Sequence, residues 1–405
     1  MTTTVDTALI TPLAAYLDLR TRGRAAFLLE SVDQGRLGRY SLVGCGDRLV
    51  TFDEAEQLPE PVVGYLAYDH VARLEPTVPL PDAGTGLPES RFVVADVLLR
   101  FDHLLGLAEV LAGPADLRLE SRYQVPERGT RYRSGSTRRF PRADVYERGV
   151  GACIEHIWRG DAFQIVLSQR AERPTTVTPV DLYRALRRVN PSPYLLLLEL
   201  DGLALVGSSP ETLVKLEGRR ASVNPIAGST APGEGDAERL LASAKDRAEH
   251  VMLVDLGRND LSRVCEPGTV NVERFLEAER FSHITHLVSE VAGELRDGVA
   301  PFDLLRATFP AGTVSGAPKV RAMQIVSELE GYRRGPYAGA VLYSLPGGAL
   351  DACIAIRTIV LHEGRALMQA GAGIVADSDP RAEHDECLRK LAALEAAVDL
   401  AEAYG

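Results

Sequence analysis

Two stretches of helical spacing each carry a pair of carboxylates three residues apart: Asp246 with Glu249, and Glu383 with Glu386. At i, i+3 both acids of a pair lie on one helical face. Two such faces turned toward each other would hold a hard cation through oxygen ligands, most naturally Mg2+, with a substrate carboxylate or water completing the octahedron. Either pair alone reads as an ordinary solvated helix face. Lysine is scarce: the chain has only Lys215, Lys245, Lys319 and Lys390, so the other 41 of its 45 basic residues are arginine. Any mechanism that needs a lysine base has four candidates.

Other patterns fail on their surroundings. His283 and His286 are spaced like metal ligands, but no third His or Cys follows at a suitable interval, which disfavours zinc. His384-Asp385-Glu386 has the form of the H-x-E pair of glutamine amidotransferases. None of the five cysteines stands in a G-x-C-x-G setting, so a built-in glutaminase is rejected. Gly371-Ala372-Gly373 opens a dinucleotide-like pattern with no helix following it, and a glycine-rich turn whose amides meet a substrate anion suits it better. There is no G-x-x-x-x-G-K-[ST] loop, so nucleotide hydrolysis has no support.

The rest of the chain must position these groups. Its 405 residues suit one large domain or two ordinary ones. Hydrophobic residues at 45% and charged residues at 25% are those of a soluble globular protein. No apolar run is long enough to span a bilayer, and the first residues lack the basic segment of a secretory signal. Cys45, Cys153, Cys265, Cys353 and Cys387 are scattered and odd in number, which favours reduced thiols in a cytoplasm. A net charge of −11 disfavours a nucleic-acid partner.

Residues 26–75 alternate short apolar runs with glycine turns and read as strands. Residues 76–90 form a Pro/Gly-rich loop. The arginine-rich stretch 121–142 has no apolar periodicity and reads as a linker between an N-terminal part, 1–120, and a chemistry-bearing part, 143–405, the whole forming one intertwined unit. Beyond it the spacing predicts a helix over 144–160, a strand over 163–170 and a helix opened by Thr178-Pro179. A meander is expected over 194–226, and one long helix over 236–256. Helices follow over 302–307 and 320–329, strands over 338–345, 349–361 and 367–375, and a last helix over 381–401. Strands in runs with helices between runs indicate an α+β fold with mostly antiparallel sheets.

Several strings occur together and in order: 160–170 (GDAFQIVLSQR), Ser209-Pro210-Glu211, Pro225-Ile-Ala-Gly228, Lys245 to His250 with Arg258-Asn-Asp260, 309–319 (FPAGTVSGAPK) and Gly371-Ala372-Gly373. In these the chain resembles the chorismate-utilising enzymes, and within them most closely anthranilate synthase component I. The resemblance is dense from about 142 to 398 and returns at 28–31, 38–41 and 64–68. It implies two large facing antiparallel sheets with helices outside and the active site in the cleft.

The resemblance also implies roles. Isochorismate and salicylate synthases carry a water-activating lysine where this chain has Gln164, and an amide does not titrate usefully. Aminodeoxychorismate synthases carry a nucleophilic lysine where this chain has Ala227. Ammonia is therefore the expected nucleophile, attacking C2 of chorismate. By resemblance, Mg2+ would sit on Glu249 and Glu386, with Asp246 and Glu383 nearby or through water. Glu211 would be the general acid for the C4 hydroxyl, Arg357 and Tyr337 would hold the enolpyruvyl carboxylate, and Gly228, Ser229, Gly371, Ala372 and Gly373 would line the carboxylates. Thr313 and Lys390 would add polar contacts, and His286 would serve pyruvate loss and aromatisation. The family's basic run after this glycine is replaced here by Ser229-Thr-Ala-Pro232.

The expected function is a lyase: the large subunit of anthranilate synthase, making anthranilate and pyruvate for tryptophan synthesis. Its ammonia would come from a separate glutamine amidotransferase subunit, in a hetero-oligomer. A second site is implied by 28–31 (LLES) and 190–194 (NPSPY), which resemble the segments binding the feedback inhibitor tryptophan. Glu30 or nearby carbonyls would take its ammonium, with Ser31, Pro193, Tyr194 and Leu195 framing it. The alternatives are a 2-amino-2-deoxyisochorismate synthase, an aminodeoxychorismate synthase, and a non-catalytic relative that binds tryptophan.

Overall fold

The computed structural model describes residues 4–6, 10–33, 36–114, 116–120, 132–230, 233, 235–280 and 285–404. Among these, the strands form two antiparallel sheets. The first, of twelve strands, runs in the order Thr4–Asp6, Leu107–Ala112, Val97–Asp102, Arg36–Gly46, Ala25–Asp33, Tyr194–Leu200, Leu203–Ser209, Thr358–His362, Arg365–Ile374, Gln164–Pro174, Gly316–Ala317, with Arg138–Phe140 also on Gln164–Pro174. The second, of ten, runs Ile226–Thr230, Thr285–Glu294, Arg220–Val223, Thr212–Glu217, Leu350–Ile354, Ala340–Ser344, Val62–Leu66, Ser90–Val94, Leu49–Val50, with Asn271–Arg280 also on Thr285–Glu294.

Strand Tyr194–Leu200 shows why the layers stack. Successive side chains of a strand point to opposite faces. Leu195 and Leu197 enter a core shared with Leu182 and Leu186 of helix Pro179–Val189 and with Leu391 and Leu394 of helix Pro380–Glu402. Leu196 and Leu198 enter a different core, shared with Val63, Tyr65 and Val341 of the second sheet. A run of leucines is thus a strand apolar on both faces, each buried leucine contributing about 1.5–3 kcal/mol relative to exposure. The two sheets stack face to face, and helices cover their outer sides.

Helix starts follow the expected caps. Thr178 Oγ1 accepts from the Asp181 amide at 3.2 Å, and Asp379 Oδ1 from the Ala382 amide at 2.8 Å. The expected helix over 236–256 is in fact two, Asp236–Ala242 and Ala244–Ser262. Ser243 leaves the helical backbone at ψ 111° and caps the second helix, its Oγ accepting from the Asp246 amide at 3.2 Å. Within 26–75, short helices at Phe52–Ala55 and Val71–Leu74 interrupt the strands, the first fixed by a capping box between Thr51 and Glu54. The N-terminal third supplies strands to both sheets. Of the stretch 121–142, residues 121–131 lie outside the described residues. Residues 132–142 pack on the fold through strand Arg138–Phe140 and the Tyr132 hydroxyl, which donates to Asp181.

Two features create the cleft. The meander over 194–226 does not stay in one sheet: Leu203–Ser209 belongs to the first and Thr212–Glu217 to the second, so the chain crosses at Pro210-Glu211. The strand expected over 349–361 is likewise divided, Leu350–Ile354 in the second sheet and Thr358–His362 in the first, with the crossing at 355–357. Arg357 takes φ 51°, a left-handed backbone that a non-glycine residue rarely adopts. The crossings run side by side. The Ile354 amide donates to Glu211 O at 3.0 Å, the Ser208 amide to Arg357 O at 3.0 Å, and Ser209 Oγ to Ile354 O at 2.6 Å.

Candidate active site

A cavity of about 230 Å3 opens at these crossings. Glu211 and Arg357 enter it from the crossings, Thr313 from the turn Gly312–Val314, and Tyr337 from the segment before Ala340–Ser344. Strand Arg365–Ile374 presents Gly371 and Gly373, the neighbouring strand presents Gln164, helix Ala244–Ser262 presents Glu249, and helix Pro380–Glu402 presents Glu386 and Lys390.

The two glycines are required by space. A Cβ on Gly371 would stand 2.8 Å from the Tyr337 hydroxyl, and one on Gly373 would stand 2.7 Å from Gln164 Nε2. Ala372 between them points the other way, into the core formed with Tyr146, Ile165 and Cys387, so only its backbone belongs to this wall.

The charges are arranged in opposition. Burial pushes the Glu211 carboxyl up to about 8, and the neighbouring Thr313 hydroxyl opposes this weakly. That contact falls short of full hydrogen-bond geometry, and Thr313 Oγ1 is buried with no protein partner of proper geometry. The guanidinium of Arg357 is destabilised by burial and supported by Tyr337 and Glu386. Lys390 Nζ donates to Gly371 O at 2.8 Å and lies 2.6 Å from Glu386 Oε1. Gln164 Nε2 donates to Glu249 Oε1 at 2.9 Å.

His286, on strand Thr285–Glu294, is held at the margin of this group. Its Nδ1 donates to Gly228 O at 2.9 Å, which makes Nε2 the basic nitrogen. Burial lowers its pKa, the Gly228 carbonyl opposes that, and the Arg357 charge adds to the lowering. Gly228 itself takes φ 66° at a register shift in its strand, beside Asp246, whose Cβ would lie 3.1 Å from an added Cβ. Asp246 and Glu383 stand outside the cavity wall: Asp246 begins its helix, and Glu383 Oε1 accepts from Ser378 Oγ at 2.7 Å. Among the described residues, no group of three or more His, Cys, Asp or Glu side chains converges as a preformed metal site. Ser229 lies in strand Ile226–Thr230, its side chain outside the described residues, as is His283.

Sequence reasoning missed part of the wall. Gln369 also lines the cavity and donates to Ser168 Oγ at 2.7 Å. Behind Tyr337, the buried Arg334 pairs with Glu330 and donates at 2.7 Å to both Val314 O and Val166 O. Arg and Glu four apart read as an exposed helix pair, and nothing local marks them as buried.

A second cavity, of about 320 Å3, lies between the sheets. Leu29, Leu42, Leu196, Val341 and Leu350 give it apolar walls. Arg100, Lys215, Glu217 and Asp351 bring charges of both signs. Ser31, paired opposite Tyr194 in the sheet, and Tyr194 itself also line it, whereas Pro193 does not. The Tyr194 hydroxyl is 2.8 Å from Thr212 Oγ1 and donates to Asp351 Oδ1 at 3.1 Å. Burial pushes the Asp351 carboxyl up to about 6, opposed by Lys215. Glu30 and Leu195 also border the cavity, although their side chains point to the opposite face of the sheet. The Glu30 carboxylate accepts from the Tyr183 hydroxyl and lies 3.3 Å from Arg187 on the covering helix, and Leu195 packs among the helices. Glu217 and Asp351 are the carboxylates that face the cavity, and the signal for Asp351 was a lone acid within the apolar strand Leu350–Ile354.

Comparison with known proteins agrees with this architecture. Residues 28–396 match the family described as chorismate binding enzyme. Anthranilate synthase component 1 of Thermus thermophilus is 43% identical over 97% of this chain and 96% of its own length. That of Streptomyces coelicolor is also 43% identical, over 97% of this chain and 88% of its own. The crystal structure of anthranilate synthase component I from Streptococcus pneumoniae superposes with a TM-score of 0.80 at 33% identity, covering 88% of this chain and 92% of that one. By sequence over nearly its whole length and by fold, the chain belongs to the chorismate-binding enzymes.

Proposed function

We propose that this chain is the large subunit of an anthranilate synthase, a lyase converting chorismate and ammonia to anthranilate and pyruvate. One observation carries the reading: a carboxyl held protonated near neutral pH, Glu211, shares a cavity with a carboxylate-binding guanidinium, Arg357, and contains at Gln164 an amide instead of a base. A protonated carboxyl is what the departing C4 hydroxyl needs, since hydroxide leaves only as water. Arg357 offers a planar fork and Tyr337 a hydroxyl to the enolpyruvyl carboxylate. Gln164 cannot deprotonate water, so the attacking group must already be a nucleophile, as ammonia is.

Glu249 and Glu386 are hard oxygen donors lining the same cavity, and they fit Mg2+, for which a substrate carboxylate and water would complete the sphere. Bound there, the ion would make the ring carboxylate a better electron sink. His286, neutral with Nε2 basic, suits removal of the C2 proton as pyruvate is lost. The relatives named component 1 support a separate partner, here a glutamine amidotransferase subunit supplying ammonia in a cytoplasmic hetero-oligomer.

The inter-sheet cavity suits a zwitterionic amino acid with a large apolar side chain, which supports feedback inhibition by tryptophan. Asp351 would take its ammonium.

The test supplies the purified chain with chorismate, Mg2+ and an ammonium salt, and follows anthranilate fluorescence together with pyruvate. Equal yields establish the activity. Chorismate loss without pyruvate would instead establish a 2-amino-2-deoxyisochorismate synthase.

A further inference from the structure

We infer that the hydroxyl of Thr212 couples the inter-sheet cavity to Glu211, so that an amino acid bound between the sheets reaches the catalytic carboxyl through a single hydrogen bond. The inference rests on the amino-acid reading of that cavity. Glu211 and Thr212 are adjacent where the chain enters the second sheet, and their side chains have different partners. The Glu211 side chain lines the active cavity. Thr212 Oγ1 bonds at 2.8 Å to the Tyr194 hydroxyl, which also reaches Asp351 Oδ1, and Tyr194 and Asp351 both line the other cavity. Between the two cavities at this point stand Thr212 and the Tyr194 side chain bonded to it.

The backbone here is pinned on one side and irregular on the other. Glu211 O is held by the Ile354 amide at 3.0 Å. Immediately beyond, the pairing of this strand with Leu350–Ile354 shifts register between Thr212 and Val214. Bulges beside active sites re-aim side chains. A ligand that engages the Tyr194 hydroxyl or the Asp351 carboxylate competes for the partner that fixes Thr212, and Glu211 is the next residue along. Such a ligand discriminates between two placements of Glu211, which is what a coupling requires.

Thr212→Val removes the hydroxyl and keeps the β-branched shape. Tryptophan binding is measured by equilibrium dialysis without chorismate, and inhibition of anthranilate formation on the same preparations. For Thr212→Val, binding should stay within about threefold of wild type, while the factor by which saturating tryptophan weakens chorismate use should fall about tenfold or more, read as a lower plateau of inhibition. Thr212→Ser, which keeps the hydroxyl, should behave as wild type. Undiminished inhibition of Thr212→Val overturns the inference, as does parallel loss of binding and inhibition, which would make Thr212 only part of the cavity wall. A wild-type chain that binds tryptophan without being inhibited overturns the coupling. A wild-type chain that binds none overturns the amino-acid reading itself and the coupling with it.

Discussion

Gln164 and Glu249 meet across the cleft through one hydrogen bond, Nε2 to Oε1 at 2.9 Å. Gln164 opens a strand of the first sheet, and Glu249 comes from a helix covering the second, so the bond joins the two walls. A neutral amide orients the carboxylate without cancelling its charge, which leaves Glu249 able to hold a cation. Gln164→Lys should therefore raise the Mg2+ concentration for half-maximal turnover about tenfold or more, equivalent to ~1.4 kcal/mol or above. Titration of activity against free Mg2+ measures this. An unchanged Mg2+ dependence would remove Glu249 from the proposed metal site.

Glu386 is 41% exposed in its side chain and pairs with Lys390 on its own helix. Half-exposed pairs of this kind contribute ~0–1 kcal/mol to folding. Glu386→Gln should thus melt close to wild type yet lose nearly all turnover, because the lost group is the proposed metal ligand and not part of a core. Thermal melts and the anthranilate assay separate the two, and wild-type turnover at saturating Mg2+ would sink the assignment.

Glu211, as the proposed general acid, should give the reaction a pH limb. Its folded-state pKa of about 8 lies above the usual carboxylate value of about 4.3. The general acid is the protonated form, so kcat should fall as pH rises through about 8. The assay must hold free ammonia constant, since its concentration rises with pH. The same shift has a stability consequence. Between the two pKa values the folded state binds more protons than the unfolded one, so Glu211 contributes stability at low pH that is lost as pH rises toward its folded value. Glu211→Gln does not titrate and should gain Tm relative to wild type on going from pH 5 to pH 9, while losing activity throughout. A wild-type profile flat across this range would contradict the raised carboxyl.

The elements were largely legible because their signals are local. Thr178 and Asp379 cap helices as their residue types require, and the leucine run of Tyr194–Leu200 marks a strand apolar on both faces. The crossings that build the site were not legible. Nothing in Ser209-Pro210-Glu211 or in 355–357 says that a chain reading as a continuous meander or strand changes sheet there, since that is decided by pairing partners far away in sequence. The same limit hid the directions of Glu30 and Ala372. Spacing gives alternation, but which face meets the cleft depends on the neighbouring strands. Ser243 was a missed local signal: a serine three residues before Asp246 is a cap, and the apolar pattern running through it concealed the break.

Arg334 supplies the last prediction. Its side chain and that of Glu330 are 1% and 2% exposed. The guanidinium donates twice to Glu330 and once each to Val314 O and Val166 O, and it lies 4.5 Å from the Tyr68 ring centroid and 5.7 Å from that of Tyr337. Glu330 in turn accepts from the amide and hydroxyl of Ser168 at 2.8 and 2.6 Å. One buried cation therefore ties together the Thr313 turn, the Gln164 strand and the Tyr337 segment, three walls of the active cavity. Removing one member of a buried pair leaves the other charge unpaired, at a cost of about 3–5 kcal/mol. Arg334→Met should lose that much in urea unfolding. Glu330→Gln combined with Arg334→Met should recover part of it, because no lone charge is left. Turnover should not return with stability: the double variant still lacks the four donors that align the walls, so its KM for chorismate should stay raised. Recovery of stability and KM together would mean that the pair serves folding alone.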